Sequence, residues 1–233
     1  MSKKMVKNAL AASGVVLCSL LIAGCTSSSP DAVEVSASVP TAYDLIGDWN
    51  VSAFDVEPVT EVDEMTEFSE AGIIGTVAGF TQGELDTNAP EGTPTYSPVL
   101  LKIDVDRTVA GELTDPRSET IYVALPGTLE ASEYEANVGV GTPVVVYVND
   151  ITSPDGLVGM SLKSGAPEGT TIYTVTHPAG FAFEFGTGDG ANQRSTSSDE
   201  VVLVFPYESG VARGVGVNDL VPGEDVPALI DAP

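Results

Sequence analysis

Histidine and cysteine are nearly missing from this sequence. Among 233 residues there is one histidine, His177, and two cysteines, Cys18 and Cys25. A histidine-based triad or zinc centre would have to use His177, which precedes Pro178 at what reads as a strand end. One histidine, with no thiol left in the mature domain, argues against a structural zinc site. There is no Gly-x-Ser-x-Gly elbow, no His-Glu-x-x-His pair and no phosphate loop. The run Gly186-Thr187-Gly188-Asp189-Gly190 lacks the spacing of a nucleotide fingerprint and opens no evident helix. The chain is therefore expected not to be an enzyme. Paired carboxylates can hydrolyse a glycosidic bond, but acids are so common here that their presence carries no weight.

Basic residues are scarce too. There are nine, and Lys3, Lys4 and Lys7 fall in the first seven positions. These three open a leader whose apolar run, residues 9–22, carries no charge. It ends in Leu21-Ile22-Ala23-Gly24-Cys25, and the polar stretch Thr26-Ser27-Ser28-Ser29-Pro30 follows. A spanning helix needs about 20 apolar residues, and this run is shorter. A positive start, a short apolar stretch and small residues before a cut point are the parts of an export signal. The Leu-x-Ala-Gly-Cys ending resembles a bacterial lipobox. In a lipobox the chain is cut between Gly24 and Cys25, and the cysteine takes a diacylglycerol. One acyl chain holds a protein marginally, and two hold it stably. The expected organisation is a lipoprotein signal peptide over 1–24, a lipidated N-terminus and tether over 25–59, and a β-rich domain over 60–233. The expected location is the outer face of the cell membrane, with the membrane itself a partner through Cys25.

Cleavage would remove Cys18 and all three leader lysines. The mature chain would keep no free thiol or disulfide, so its core alone must hold it together. It would also keep six basic against 34 acidic residues, a net charge of −28. That field repels nucleic acid and anionic lipid, and so excludes nucleic-acid partners. The acids are scattered and form no block of five, which fits a solvated acidic surface.

The rest of the composition points to β structure. There are 24 glycines and 16 prolines, and apolar runs of five to eight residues are broken by turns. Residues 73–80 read as a strand bent at Gly75 and Gly79. Residues 99–109 alternate, with Leu101, Ile103 and Val105 on one face and Lys102, Asp104 and Asp106 on the other. Residues 120–125 alternate again. Residues 144–148 and 201–205 are apolar throughout and fit strands buried on both faces. Residues 157–162 and 170–176 are weaker strand candidates, and Phe181, Phe183 and Phe185 share a strand face. Thr60-Glu61-Val62-Asp63 has the pattern of a helix start, for one short helix ending before Gly72 with Val62, Met65 and Phe68 inward. Residues 81–98, 126–141 and 186–200 read as loops. Leu45, Ile46, Trp49, Val51 and Phe54 are too apolar for a pure linker, and the alternative is a segment packed on the domain.

Three stretches carry a family likeness: Gly72-Ile73-Ile74-Gly75-Thr76-Val77, Leu101-Lys102-Ile103-Asp104-Val105-Asp106, and Gly141-Thr142-Pro143-Val144-Val145-Val146-Tyr147. In order and spacing they resemble the strands of OB-like and netrin-module-like β-barrels in lipoproteins of Gram-positive bacteria, particularly actinobacteria. The likeness covers about residues 66–185. It implies an all-β, mainly antiparallel small barrel with long loops, and it transfers no catalytic residue.

Three functions compete. A binding module for an envelope ligand or protein predicts a concave patch lined by aromatics such as Tyr96, Tyr122, Tyr147 or Tyr173. An acidic structural or cation-binding protein predicts evenly spread carboxylates. Its weak calcium candidates are Asp104 and Asp106 on one strand face, Asp189, Asn192, Asp199 and Glu200 in one loop, and Asp150 and Asp155 flanking a turn; none matches a twelve-residue calcium loop. A hydrolase predicts His177, or two carboxylates, in a cleft. The first is the leading expectation.

Overall fold

In the computed structural model the described residues are 40, 45, 58–87, 97–125, 129–152, 160–186, 201–208 and 210–231. They all belong to one compact unit, Ser36–Pro233. Residues 1–24, expected to be a signal peptide, and Cys25 lie outside them.

Five strands close a barrel. They are β1 (Ala71–Gln82), β3 (Val99–Gly111), β4 (Thr120–Leu125), β5 (Pro143–Asp150) and β7 (Ile172–Val175). Round the barrel the order is β1-β3-β4-β7-β5, and β5 pairs back to β1. The β4–β7 pair is parallel and the other four are antiparallel. An all-β, OB-like small barrel is therefore what the chain forms. Two further strands, β2 (Glu84–Thr87) and β6 (Met160–Ser164), form a separate ribbon. It joins the loop after β1 to the loop before β7. Beyond the barrel, β8 (Phe181–Gly186), β9 (Val201–Phe205), β10 (Gly210–Arg213) and β11 (Ile230–Asp231) extend the sheet from β5.

Closure needs β1 to bend. Its register against β3 shifts beside Ile73, Gly75 and Gly79, the last at φ 150°. Gly75 lies opposite both Val105 and Val144, where three strands meet. A Cβ there would press on the Asp104 carbonyl oxygen and sit 2.7 Å from Ile103 Cγ2. Glycine lets the backbones approach this closely.

Strand alternation divides the apolar side chains between two cores. Val144, Val146 and Val148 of β5 share one core with Ile73, Leu101, Ile103 and Val123 of the barrel and with Phe181, Phe183, Val202 and Val204 of β8 and β9. Val145 and Tyr147 point outward, with Ile74, Leu203 and Phe205. Helix α1 (Val62–Phe68) and Val217 and Leu220 from the C-terminal segment cover that outer face. The segment is tied to α1: Val62 N–H donates to Glu224 O at 3.0 Å, and Val226 N–H to Thr60 O at 2.9 Å. Leu45 is fully buried in the barrel core; Ile46, Trp49, Val51 and Phe54 lie outside the described residues.

The single-helix expectation needs correction. A second helix, α2 (Ala131–Asn137), occupies the segment read as a loop. It buries only Tyr134, so its short sequence carries no amphipathic stripe. Tyr134 stacks on Phe80 with ring centroids 5.3 Å apart, and Val138 joins the barrel core. Strand β2 likewise lies in the segment 81–98 read as a loop, and β10 was not anticipated. Helix α1 is also shorter than expected. Glu61, not Thr60, is its N-cap, and it stops at Phe68 because pairing to β5 takes over at Ala71.

Candidate functional site

The site begins where β7 and β8 share one edge of β5. Val175 pairs with Val148, and Phe181 pairs with Val146. Between them the chain leaves the edge in a 3-10 turn, Pro178–Gly180. His177 precedes the turn and is 4% exposed. Its Nδ1 accepts the Ala179 N–H at 3.1 Å, so this nitrogen carries no proton in that arrangement. Gly180 N–H closes the turn on His177 O at 2.9 Å. A Cβ on Gly180 would lie 3.0 Å from Tyr147 Cβ and 3.2 Å from Met65 Sδ, so turn and helix pack tightly.

Helix α1 lies against this turn. Ser69 Oγ donates to Met65 O at 2.8 Å and lies 2.7 Å from Thr176 Oγ1. Thr176 Oγ1 is also 3.1 Å from Tyr147 O. Between the helix and the turn is a groove of about 420 Å³, lined by Pro58, Val59, Glu64, Glu67, Phe68, Thr176 and His177. Pro58, Val59 and Phe68 make it apolar, and two carboxylates flank them. Glu64 Oε2 accepts the Thr60 N–H at 2.7 Å, which holds the start of α1 in place.

Phe68 is 58% exposed, although its spacing from Val62 and Met65 placed it inward. On a helix of 3.6 residues per turn, steps of three fall back by about 60° each. Phe68 is therefore about 120° round from Val62. It also ends the helix, where no following turn covers it.

Among the described residues the tyrosines expected to line a binding patch do not gather on the surface. Tyr147 and Tyr173 are fully buried, in the outer and barrel cores respectively. Their positions on β5 and β7 direct large rings into packed layers, where burying each removes much apolar area from water. Burial raises the Tyr147 hydroxyl to about 12, and the nearby Asp63 carboxylate adds to the rise. Burial also pushes Tyr173 up. Tyr122 is half-buried beside Leu100, Ala124, Ile151 and Ile172. Ala166, in the segment before β7, packs on the same cluster. Tyr96 lies outside the described residues.

Of the calcium candidates only Asp104, Asp106 and Asp150 are among the described residues, and they form no metal-holding group there. Asp104 and Asp106 are exposed on β3, and Asp104 Oδ1 accepts the Thr120 hydroxyl at 2.9 Å. Asp150 is buried; its carboxylate accepts Thr114 Oγ1 at 2.9 Å and the Thr152 N–H at 2.7 Å. Asp155, Asp189, Asn192, Asp199 and Glu200 lie outside the described residues. Among the described residues no three of His, Cys, Asp and Glu are grouped to hold a metal ion. Also among them, no helix is long and apolar enough to cross a membrane.

The fold and groove thus define an all-β protein built on an OB-like barrel, with a cleft between α1 and the turn after His177. The chain matches no family model, no curated protein and no solved structure.

Proposed function

We propose that this chain is a membrane-anchored lipoprotein whose OB-like domain acts outside the cytoplasm as a non-catalytic binding or interaction module of the cell envelope. The observation that carries the proposal is Leu21-Ile22-Ala23-Gly24-Cys25 at the end of a lysine-led, uncharged apolar leader. Two acyl chains on Cys25 would hold the domain at the membrane, and the groove at α1 is its place of contact. An exposed Phe68 beside an apolar floor supports the contact role.

A hydrolytic reading gains one point, the buried His177 on the groove. It loses on the rest. His177 Nδ1 is engaged by its own turn, and the Thr176 hydroxyl lies against Ser69 Oγ and Tyr147 O. Glu64 and Glu67 are exposed, and Glu64 Oε2 is taken up by the Thr60 N–H.

The test is mass spectrometry of the protein made in a bacterial host. The expected result is a mature chain that begins at residue 25 and carries a diacylglycerol on Cys25. Cys25→Ala is expected to leave an uncleaved, unacylated precursor. A bare N-terminus elsewhere, or normal acylation of Cys25→Ala, overturns the anchor and the proposal with it.

A further inference from the structure

We infer that the groove beside α1 takes a basic side chain, lysine or arginine, presented by a short apolar stretch of a partner protein. The inference rests on the binding-module reading above and names the chemistry of the partner. Its basis is the mixed character of the walls. Pro58, Val59 and Phe68 offer an apolar floor, and Glu64 and Glu67 stand beside it. Lysine and arginine have the same division, a hydrocarbon stem under a charged head. The stem lies along Pro58 and Val59, and the head reaches the carboxylates or the face of the Phe68 ring, which attracts cations.

The charge of α1 makes the fit one-sided. The helix carries Asp63, Glu64 and Glu67, with no basic residue in its last turn. Glu67 sits in that last turn, where the helix end is itself negative. An arriving cation would relieve both. Exposed Glu61 and Glu70 flank the helix and add to the field. An anionic ligand would enter against all of these charges. A space of about 420 Å³ is at the small end for ligand sites and suits one long side chain with an apolar neighbour.

The experiment uses the full lipidated chain in detergent micelles. The probe is a fluorescent peptide with one lysine between leucine and phenylalanine, followed by anisotropy. Saturable binding is expected. Glu67→Gln and Phe68→Ala should each weaken it at least five-fold, while Glu168→Gln, outside the groove, should leave it unchanged. Glutamate in place of the peptide lysine should abolish it. All three altered side chains are exposed, so loss of folding does not confuse the result. Equal weakening by Glu168→Gln would show diffuse attraction to an acidic surface and overturn the inference, as would absence of saturable binding. A photo-crosslinking benzoylphenylalanine replacing Phe68 in intact cells separates the two failures. If the peptide does not bind but one envelope component is captured, this inference falls and the binding-module reading stands. If neither occurs, both fall.

Discussion

Replacing Gly75 with alanine tests whether the barrel closes as described. Gly75 sits where β1 pairs with β3 on one side and β5 on the other. The new methyl would meet the Asp104 carbonyl oxygen and come within 2.7 Å of Ile103 Cγ2. The side chain has some room to adjust, but the carbonyl is backbone, so β1 and β3 must separate. Forcing a methyl into a packed site costs about 1–3 kcal/mol. A ladder hydrogen bond lost at the seam adds about 0.5–1.5 kcal/mol. Alanine restricts the unfolded chain more than glycine, which offsets about 0.4–1 kcal/mol. The midpoints of these ranges sum to a destabilisation of about 2–3 kcal/mol. For a unit of this size that lowers the melting temperature by about 4–12 °C. Circular dichroism melts of Gly75→Ala beside Glu168→Ala, an exposed control, provide the measurement. If the two variants melt within about 2 °C of each other, the three-strand junction at Gly75 is refuted.

Three further outcomes are expected. Leu45→Ala should cost about 3–5 kcal/mol in urea denaturation, the range for emptying a buried leucine site; a change under about 0.5 kcal/mol would place residue 45 in a tether. Tyr147 has its hydroxyl raised to about 12 in the fold, so the folded state keeps a proton that the unfolded chain releases near pH 10. Its contribution is full below pH 10 and falls as pH rises toward 12, by about 2 kcal/mol. Tyr147→Phe should flatten that slope in stability-versus-pH measurements, and an unchanged slope would assign it elsewhere. Asp150→Ala should cost about 2–3 kcal/mol, because Thr114 and the Thr152 amide lose their buried acceptor; a loss under about 0.5 kcal/mol in chemical denaturation would show that water replaces it.

Much of the barrel was legible because strand burial repeats every two residues. Leu101, Ile103 and Val105 alternated with charged neighbours, and β3 presents them as expected. The uninterrupted run Val144–Val148 announced a strand with two buried faces, and it feeds both cores. Phe181, Phe183 and Phe185 do share one face, packed in one core with the barrel's inward side chains. Elements spanning only about two of their own periods were not legible. Helix α2 buries one residue, and β10 has four residues, too few for either repeat to register. The groove was hidden for a different reason. Its lining comes from positions 58–68 and 176–177, more than a hundred residues apart, and nothing local marks them as neighbours.

Local sequence alone carried the lysine-led apolar stretch with its Leu-x-Ala-Gly-Cys ending, the surplus of acid and the β character of the domain. Each depends on neighbours in the chain or on composition, and needs no fold to be read. Tertiary structure decided which tyrosines are core and not surface, that Leu45 is packed, and that His177, Glu67 and Phe68 line one groove. Those outcomes depend on which strand lies beside which. Closure of β5 onto β1 sets that arrangement through contacts far apart in sequence.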